Sequence, residues 1–300
     1  MKGQTILITG ATAGIGRHAA LTFAARGHRV IASGRNKAAL TTLHAQSPQI
    51  DVVQLDVADP QSVAEAVVEV DRLTDGRGVD VLVNTAGYGL VGPLVEISDA
   101  KLREQFDVNV FGLMSVTRAF LPKMMQRKKG RVLNVTSVSG RISLPIFGAY
   151  HASKWAVETM SDSLRMELRP FGIHVVVIEP GTIRTEFADR SRREAGEIEG
   201  PRSPYAPVYA RIDASAEKLM AQAVGPEVIS RAMLRAIEAR SPSARYTAPF
   251  HAKVGMYLVK AMPTWLTDAV MSRMTGLSLV RADAAADASA PPPVGPRPRA

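Results

Sequence analysis

The chain has 300 residues, 46% of them hydrophobic, a formal charge of +9 and no cysteine. It is long enough for one large α/β domain or two small ones, and the missing thiols exclude disulfides, thiolate catalysis and cysteine-based zinc sites. The basic excess raises nucleic acid as a partner. Its clearest run, "RKKG" at 127–130, ends a helical pattern where cations complement the helix dipole, and no basic stripe is interleaved with aromatics. No nucleic-acid partner is expected, and no metal, because the six histidines lack short ligand spacing.

From the N-terminus, "TILIT" (5–9) reads as a strand that follows Met1 almost at once, so no secretory leader is expected. A glycine-rich turn, "TGATAGIG" (9–16), leads into a helical pattern, and "RVIAS" (29–33) and "DVVQLDV" (51–57) read as the next strands. After the amphipathic "SVAEAVVEVDRL" come strands at "VDVLVNTAG" (79–87), "GRVLNVTS" (130–137) and "IHVVVIEP" (173–180), separated by further helical stretches. Runs apolar on both faces, alternating with helices, predict a Rossmann-type doubly wound parallel α/β sheet of about seven strands. A polar, Gly/Pro-punctuated segment at about 186–225 reads as a substrate-loop insertion. A helix at 226–240 with Pro226 in its first turn and a short strand at 244–249 then complete a single domain over 1–250. Residues 251–280 form an apolar extension. The reading preferred for it is helix packed on the domain or its pocket, with contact to a membrane surface as the lesser alternative. Twelve of the last twenty residues are Ala or Pro, which predicts a disordered tail over 281–300. No apolar run reaches the ~20 residues needed to span a bilayer, and the expected home is the cytoplasm.

The glycines at 10, 14 and 16 follow a strand and open a helix, the context in which such a turn binds a pyrophosphate. Their spacing, with the later motifs, resembles the short-chain dehydrogenase/reductase family, whose cofactor motif is T-G-x-x-x-G-x-G. "NTAG" (84–87) is similar to the family's N-N-A-G, with Thr85 as a departure, and "DVN" ends at Asn109. Ser137 lies thirteen residues before Tyr150, Tyr150 and Lys154 form Y-x-x-x-K, and "PGTIRT" (180–185) matches P-G-x-x-x-T. Landmarks in family order cover residues 5–185, and the whole chain looks like the hydroxysteroid- and retinol-dehydrogenase branch.

The resemblance implies four catalytic residues: Asn109, Ser137, Tyr150 and Lys154. Tyr150 is the expected general acid/base, Lys154 lowers its pKa and holds ribose hydroxyls, Ser137 bonds the substrate oxygen, and Asn109 sits at a helix irregularity in a proton relay. It also implies a cofactor cradle. The glycine turn supplies Gly10, Thr12, Gly14, Ile15, Gly16 and Arg17, and the next strand ends supply Arg35, Asp56 and Val57. Asn84, Ala86, Gly87, Tyr150, Lys154, Pro180, Gly181, Ile183 and Thr185 complete it. Where an NAD enzyme keeps an acid after its second strand, "IASGRN" has Gly34 and Arg35, so NADP(H) is expected over NAD(H). A basic residue before the second glycine, found in some NADP-binding members, is replaced by Ala13.

The expected pocket walls are Tyr88, Leu90, Ser137, Leu144, Phe147 and Phe187, mostly apolar, which suits a lipophilic alcohol or ketone. The resemblance further implies a homodimer or homotetramer formed through the helices of Asn109 and Tyr150. Two other readings compete: a non-catalytic cofactor sensor or scaffold on the same fold, and a sugar-nucleotide epimerase-like enzyme, which also uses Y-x-x-x-K but is disfavoured by the glycine spacing. His151 and Trp155 read as packing or pocket-wall residues.

Overall fold

The computed structural model describes residues 3–187, 191 and 203–280. The expected tail at 281–300 and much of the substrate loop lie outside the described residues. Seven strands form one parallel sheet: β1 (Thr5–Thr9), β2 (Arg29–Gly34), β3 (Ile50–Gln54), β4 (Val81–Asn84), β5 (Gly130–Val135), β6 (Ile173–Pro180) and β7 (Arg245–Ala248). Their order is β3-β2-β1-β4-β5-β6-β7, so the chain turns back at β1 and the glycine turn lies beside the switch point between β1 and β4. Register is in phase, with Ile6 opposite both Val30 and Val81, and Leu133 opposite both Val83 and Val176.

Alternate side chains of each strand feed two cores. On one face Ile6, Ile8 and Val30 pack with Phe23 of α1 (Gly14–Ala25) and with Ile229 and Met233 of the helix at Glu227–Glu238. On the other, Leu7, Ile31 and Leu82 meet Val70 of α3 (Pro60–Leu73), which follows α2 (Lys37–His44) in the chain. The same core takes Phe120 of α5 (Leu113–Gln126), which follows α4 (Asp99–Phe106), and Leu164 of α6 (Gly148–Leu168). Each such side chain, fully buried, contributes about 1.5–3 kcal/mol. Beyond β6 come α7 (Ala206–Gln222), α8 (Glu227–Glu238), α9 (Phe250–Ala261) and α10 (Thr264–Thr275).

Four strands end sooner than the sequence predicts, the fifth at Val135 and the seventh at Ala248 among them, and the other two show a cause. The third ends at Gln54 because Asp56 turns back and accepts from its own Ala58 N–H at 3.0 Å. The fourth ends at Asn84 because the N–H groups of Thr85 and Ala86 donate to Thr9 Oγ1, both at 3.2 Å. Pro226 stands one place outside α8 as its N-cap rather than within its first turn. The extension is two short helices, with only Met256 of α9 and Met271 and Thr275 of α10 fully buried.

Candidate active site

The glycine turn is shaped by contacts that admit no side chain. A Cβ on Gly10 would lie 2.8 Å from the Cα of Ala86, and one on Gly16 would lie 2.4 Å from the Gly10 carbonyl oxygen. Gly10 and Gly14 also have φ of +65° and +51°, a region that favours glycine. Gly34, at the end of β2, is glycine for the same steric reason, since its Cβ would press on Thr12 Cγ2 at 2.8 Å. Ile15 packs on the first core, and Thr185 closes the turn from the far side, 3.3 Å from where a Gly14 Cβ would stand.

The Gly14 N–H, first in α1, donates to the Glu186 carboxylate at 3.2 Å. This is an anion resting on the positive end of a helix, so the donor set fits a phosphate. Arg17 bonds Gln46 at 3.1 Å, and Arg35 faces Asp56 at 3.8 Å in an exposed pair.

The four expected catalytic residues come together at the ends of β4 and β5. The helix after α4 loosens into a π turn over Asp107–Gly112, the irregularity expected around Asn109. Asn109 Nδ2 donates to the Tyr88 carbonyl at 2.9 Å and to Ser153 Oγ at 3.0 Å, while its Oδ1 accepts from the Tyr88 N–H at 3.1 Å. Gly87 lies against both Asn109 Oδ1 and Lys154 Nζ.

Tyr150 and Lys154 are one turn apart on α6. The Ser137 hydroxyl neighbours that of Tyr150. Lys154 Nζ donates to the Val135 carbonyl at 3.0 Å and stands 5.8 Å from the Tyr150 ring centroid. Burial pushes the Tyr150 phenol up to about 12, against the pull of the neighbouring Ser137 hydroxyl. Burial also brings the Lys154 ammonium down to about 8, with Glu158 opposing the change.

Not every expected site residue faces this cleft. Tyr88 and Leu90 are fully buried in a separate apolar cluster with Ile97 and Ala149, so they are core rather than pocket wall. Their backbone is held down by Asn109 and by Gln105, which accepts from the Leu90 N–H at 2.6 Å. Asn84 points its amide into the protein, donating to Thr117 Oγ1 at 3.0 Å and Asn134 Oδ1 at 2.9 Å; it ties β4 to β5 and α5. The Val57 side chain is in the second core and Ile183 is buried in the first, bridged to Val224. Phe187 does reach the site, its ring 5.5 Å from that of Tyr150. Phe147 packs near Ile146, Val91 and Val208, and Leu144 is half-buried beside it. Ser137 Oγ bonds the Pro180 carbonyl at 3.3 Å, and the Gly181 N–H donates to Ala248 O at 2.8 Å.

Two groups of residues have contacts that the sequence reading did not specify, the first of them the pair read as packing or pocket-wall residues. His151 and Trp155 converge on a single acceptor, the Ile142 carbonyl, at 2.6 and 3.3 Å. A carbonyl only accepts, so His151 carries its proton on Nδ1, and burial keeps it below the ordinary histidine value. Together they fasten the 141–147 loop to α6.

The second group is a charged knot behind the site. Glu158 and Glu179 are both buried; Thr136 Oγ1 donates to Glu158 at 2.6 Å, and Thr247 Oγ1 donates to Glu179. Arg245 reaches Glu158 at 3.1 Å and Asp162 at 2.6 Å, while Arg141 reaches Glu179 at 3.4 Å. Burial and then Glu179 push Glu158 up, although Thr136 and Arg245 pull it down. The knot joins the ends of β5, β6 and β7 to α6 one turn beyond Lys154. Two signals were present in the sequence: a lone Glu in an apolar strand, and a Glu four places after Lys154.

A parallel sheet with a glycine cradle at its switch point, and a Ser–Tyr–Lys set beside it, defines a dinucleotide-dependent oxidoreductase of the alcohol dehydrogenase type. Residues 4–196 match the family model for short chain dehydrogenase, and the chain belongs to that family. It is 35% identical to the oxidoreductase YbbO of Escherichia coli, over 89% of this chain and 94% of that one. Human 17-beta-hydroxysteroid dehydrogenase type 1 is 36% identical over 82% of this chain and 77% of its own. Human retinol dehydrogenase 16 is 35% identical, with 90% and 88% covered. Among solved structures, a short-chain dehydrogenase from Streptomyces avermitilis superposes with a TM-score of 0.73 at 31% identity, covering 93% of this chain and 97% of that one. A serine dehydrogenase complexed with NADP+ gives a TM-score of 0.71 at 28% identity, covering 81% and 93%.

Proposed function

We propose that this chain is an NADP(H)-dependent oxidoreductase that interconverts a lipophilic alcohol and its ketone or aldehyde, with Tyr150 as general acid/base. The observation that carries the reading is the half-buried Tyr150 phenol, beside Ser137 and one helical turn from the Lys154 ammonium. The nicotinamide cofactor supplies the hydride when bound. Every other task falls to the chain. Ser137 donates a hydrogen bond to the substrate oxygen, where charge develops. Tyr150 passes its phenolic proton to that oxygen in reduction and takes it back in oxidation. Lys154 stabilises the resulting phenolate by charge and bonds ribose hydroxyls. Asn109 positions Lys154 from across Gly87, braced by Tyr88 and Ser153.

Arg35 is an exposed cation just after β2, in the place where an NAD enzyme keeps an acid, and this supports NADP(H) over NAD(H), with Asp56 at 3.8 Å as the carboxylate a 2′-phosphate would displace from it. Phe187 and Phe147, with the cluster of Ile146, Val208 and Tyr209 behind Phe147, offer an apolar wall that suits a lipophilic substrate. The names of the steroid and retinol dehydrogenases among the relatives support the same class. Exposed Phe111 and Met166, in the π turn and on α6, support a homodimer or homotetramer built through those helices.

The test is Tyr150→Phe, assayed by loss of NADPH absorbance against a panel of ketones. Turnover is expected to fall about a hundredfold or more while NADPH affinity stays within a few-fold. Full activity in the variant would remove Tyr150 from the proton transfer.

A further inference from the structure

Helix α9 carries its apolar residues on the wrong side for a helix that only packs on a domain. Phe250, Val254, Tyr257, Leu258 and Ala261 recur at i, i+4, i+7, i+8 and i+11, an arc of about 100° on a helical wheel. That arc faces solvent: Phe250 is 76% exposed, Tyr257 53% and Leu258 64%. The opposite side does the packing, where Met256 is buried and Ala252 lies against Gly181. Trp265, in the first turn of α10, is 70% exposed beside this helix in the chain.

The charges around the stripe are of one sign. Exposed Lys253 and Lys260 share one flank of α9, His251 lies at the other edge, and Arg273 is exposed on α10. Asp268 is the single acid between residues 250 and 280. A membrane-spanning role is excluded for these helices, because none in the described residues is long and apolar enough to cross a bilayer.

We propose that the outer face of α9, with Trp265, docks this protein on an anionic phospholipid surface. Its apolar residues would enter the headgroup boundary, Tyr257 and Trp265 would sit at the polar level, and the lysine stems would extend toward lipid phosphates. An apolar stripe flanked by lysines matches this occupant better than a second copy of the chain, whose identical cations would face one another across the contact. The inner side of α9 lies on Gly181, and Leu277 and Val280 beyond α10 pack in the cluster around Val208 and Ile146, alongside Phe147. The docked face is therefore the back of the segment that walls the site. The inference rests on exposure and charge and holds whatever the substrate.

The full-length protein is floated with vesicles of phosphatidylcholine alone and of phosphatidylcholine containing roughly a quarter phosphatidylglycerol. Flotation on the anionic vesicles, about tenfold stronger than on neutral ones and weakened by salt, is expected. Phe250→Asp with Leu258→Asp should reduce partitioning at least about tenfold, and Lys253→Glu with Lys260→Glu should abolish the preference for anionic lipid. An independent readout needs no charge variant: Trp265 emission should shift to the blue on anionic vesicles, and Trp265→Phe should remove the shift. No flotation of the intact chain would overturn the proposal, as would undiminished flotation of both double variants. A dimer that the Phe250/Leu258 variant dissociates, in a chain that binds no vesicles, would also overturn it and assign the stripe to self-association.

Discussion

Replacing Lys154 by methionine should leave the fold at least as stable as the parent at neutral pH while abolishing turnover, and the pH dependence tests the reason. Lys154 is buried, with one hydrogen bond from Nζ to the Val135 carbonyl. Its ammonium sits near pKa 8 in the fold against an ordinary 10.5. At ~1.36 kcal/mol per pH unit, holding that charge in the interior at pH 7 costs about 3 kcal/mol. Methionine fills similar space without the charge but leaves the Val135 carbonyl short of a donor, a loss of about 1–3 kcal/mol. The two nearly offset at pH 7, leaving the variant equal to the parent or about 1–2 kcal/mol more stable.

The sign with pH follows from proton uptake. Between pH 8 and 10.5 the unfolded chain binds more protons at this lysine than the folded one does, so the parent gains stability as pH rises there. The variant has no such group. The stability difference should therefore move toward the parent by about 2.5 kcal/mol between pH 7 and pH 10. Urea denaturation of both proteins at the two pH values reads this directly, since all other titrating groups cancel in the comparison. A difference that stays flat with pH would refute the claim that burial governs Lys154.

Two further outcomes follow from the cradle. Arg35→Asp removes the cation at the end of β2, beside Asp56, and should shift the NADP(H)/NAD(H) ratio of kcat/KM by about 10- to 100-fold toward NAD(H); an unchanged ratio would place phosphate recognition elsewhere. Glu186→Gln keeps the contact with the Gly14 N–H but removes its charge, so NADPH should bind several-fold more tightly, with the gain shrinking at high salt. Calorimetric titration at two ionic strengths measures it, and equal affinity in both proteins would mean that Glu186 does not compete for the helix terminus.

Much of the scaffold could be read from local pattern. β1 and β6 begin and end at the predicted residues, and the glycine turn, Asn109, Ser137, Tyr150 and Lys154 gather at one end of the sheet. These features are legible because each needs a residue type at a fixed offset. The charged knot is different. Arg141, Glu158, Glu179 and Arg245 are brought together only because β5, β6 and β7 are neighbours in the sheet. Nor does an apolar residue announce which way it points, and Tyr88 and Leu90 went into the core while Phe187 stayed over Tyr150. The grip of His151 and Trp155 on Ile142 depends on how a loop folds back, which no periodicity encodes.

That grip has a mechanical consequence. Along α6, Tyr150, Lys154 and Glu158 form one row, and His151 and Trp155 form the next, about 100° around the same cylinder. One row carries the proposed acid/base and its support; the other holds the loop that carries Leu144 and Phe147. The two rows are geared to a single shaft. Any rotation of α6 that swings the phenol must also drag the Ile142 carbonyl and the loop it anchors, so the proposed proton donor and the proposed pocket wall cannot be adjusted one without the other.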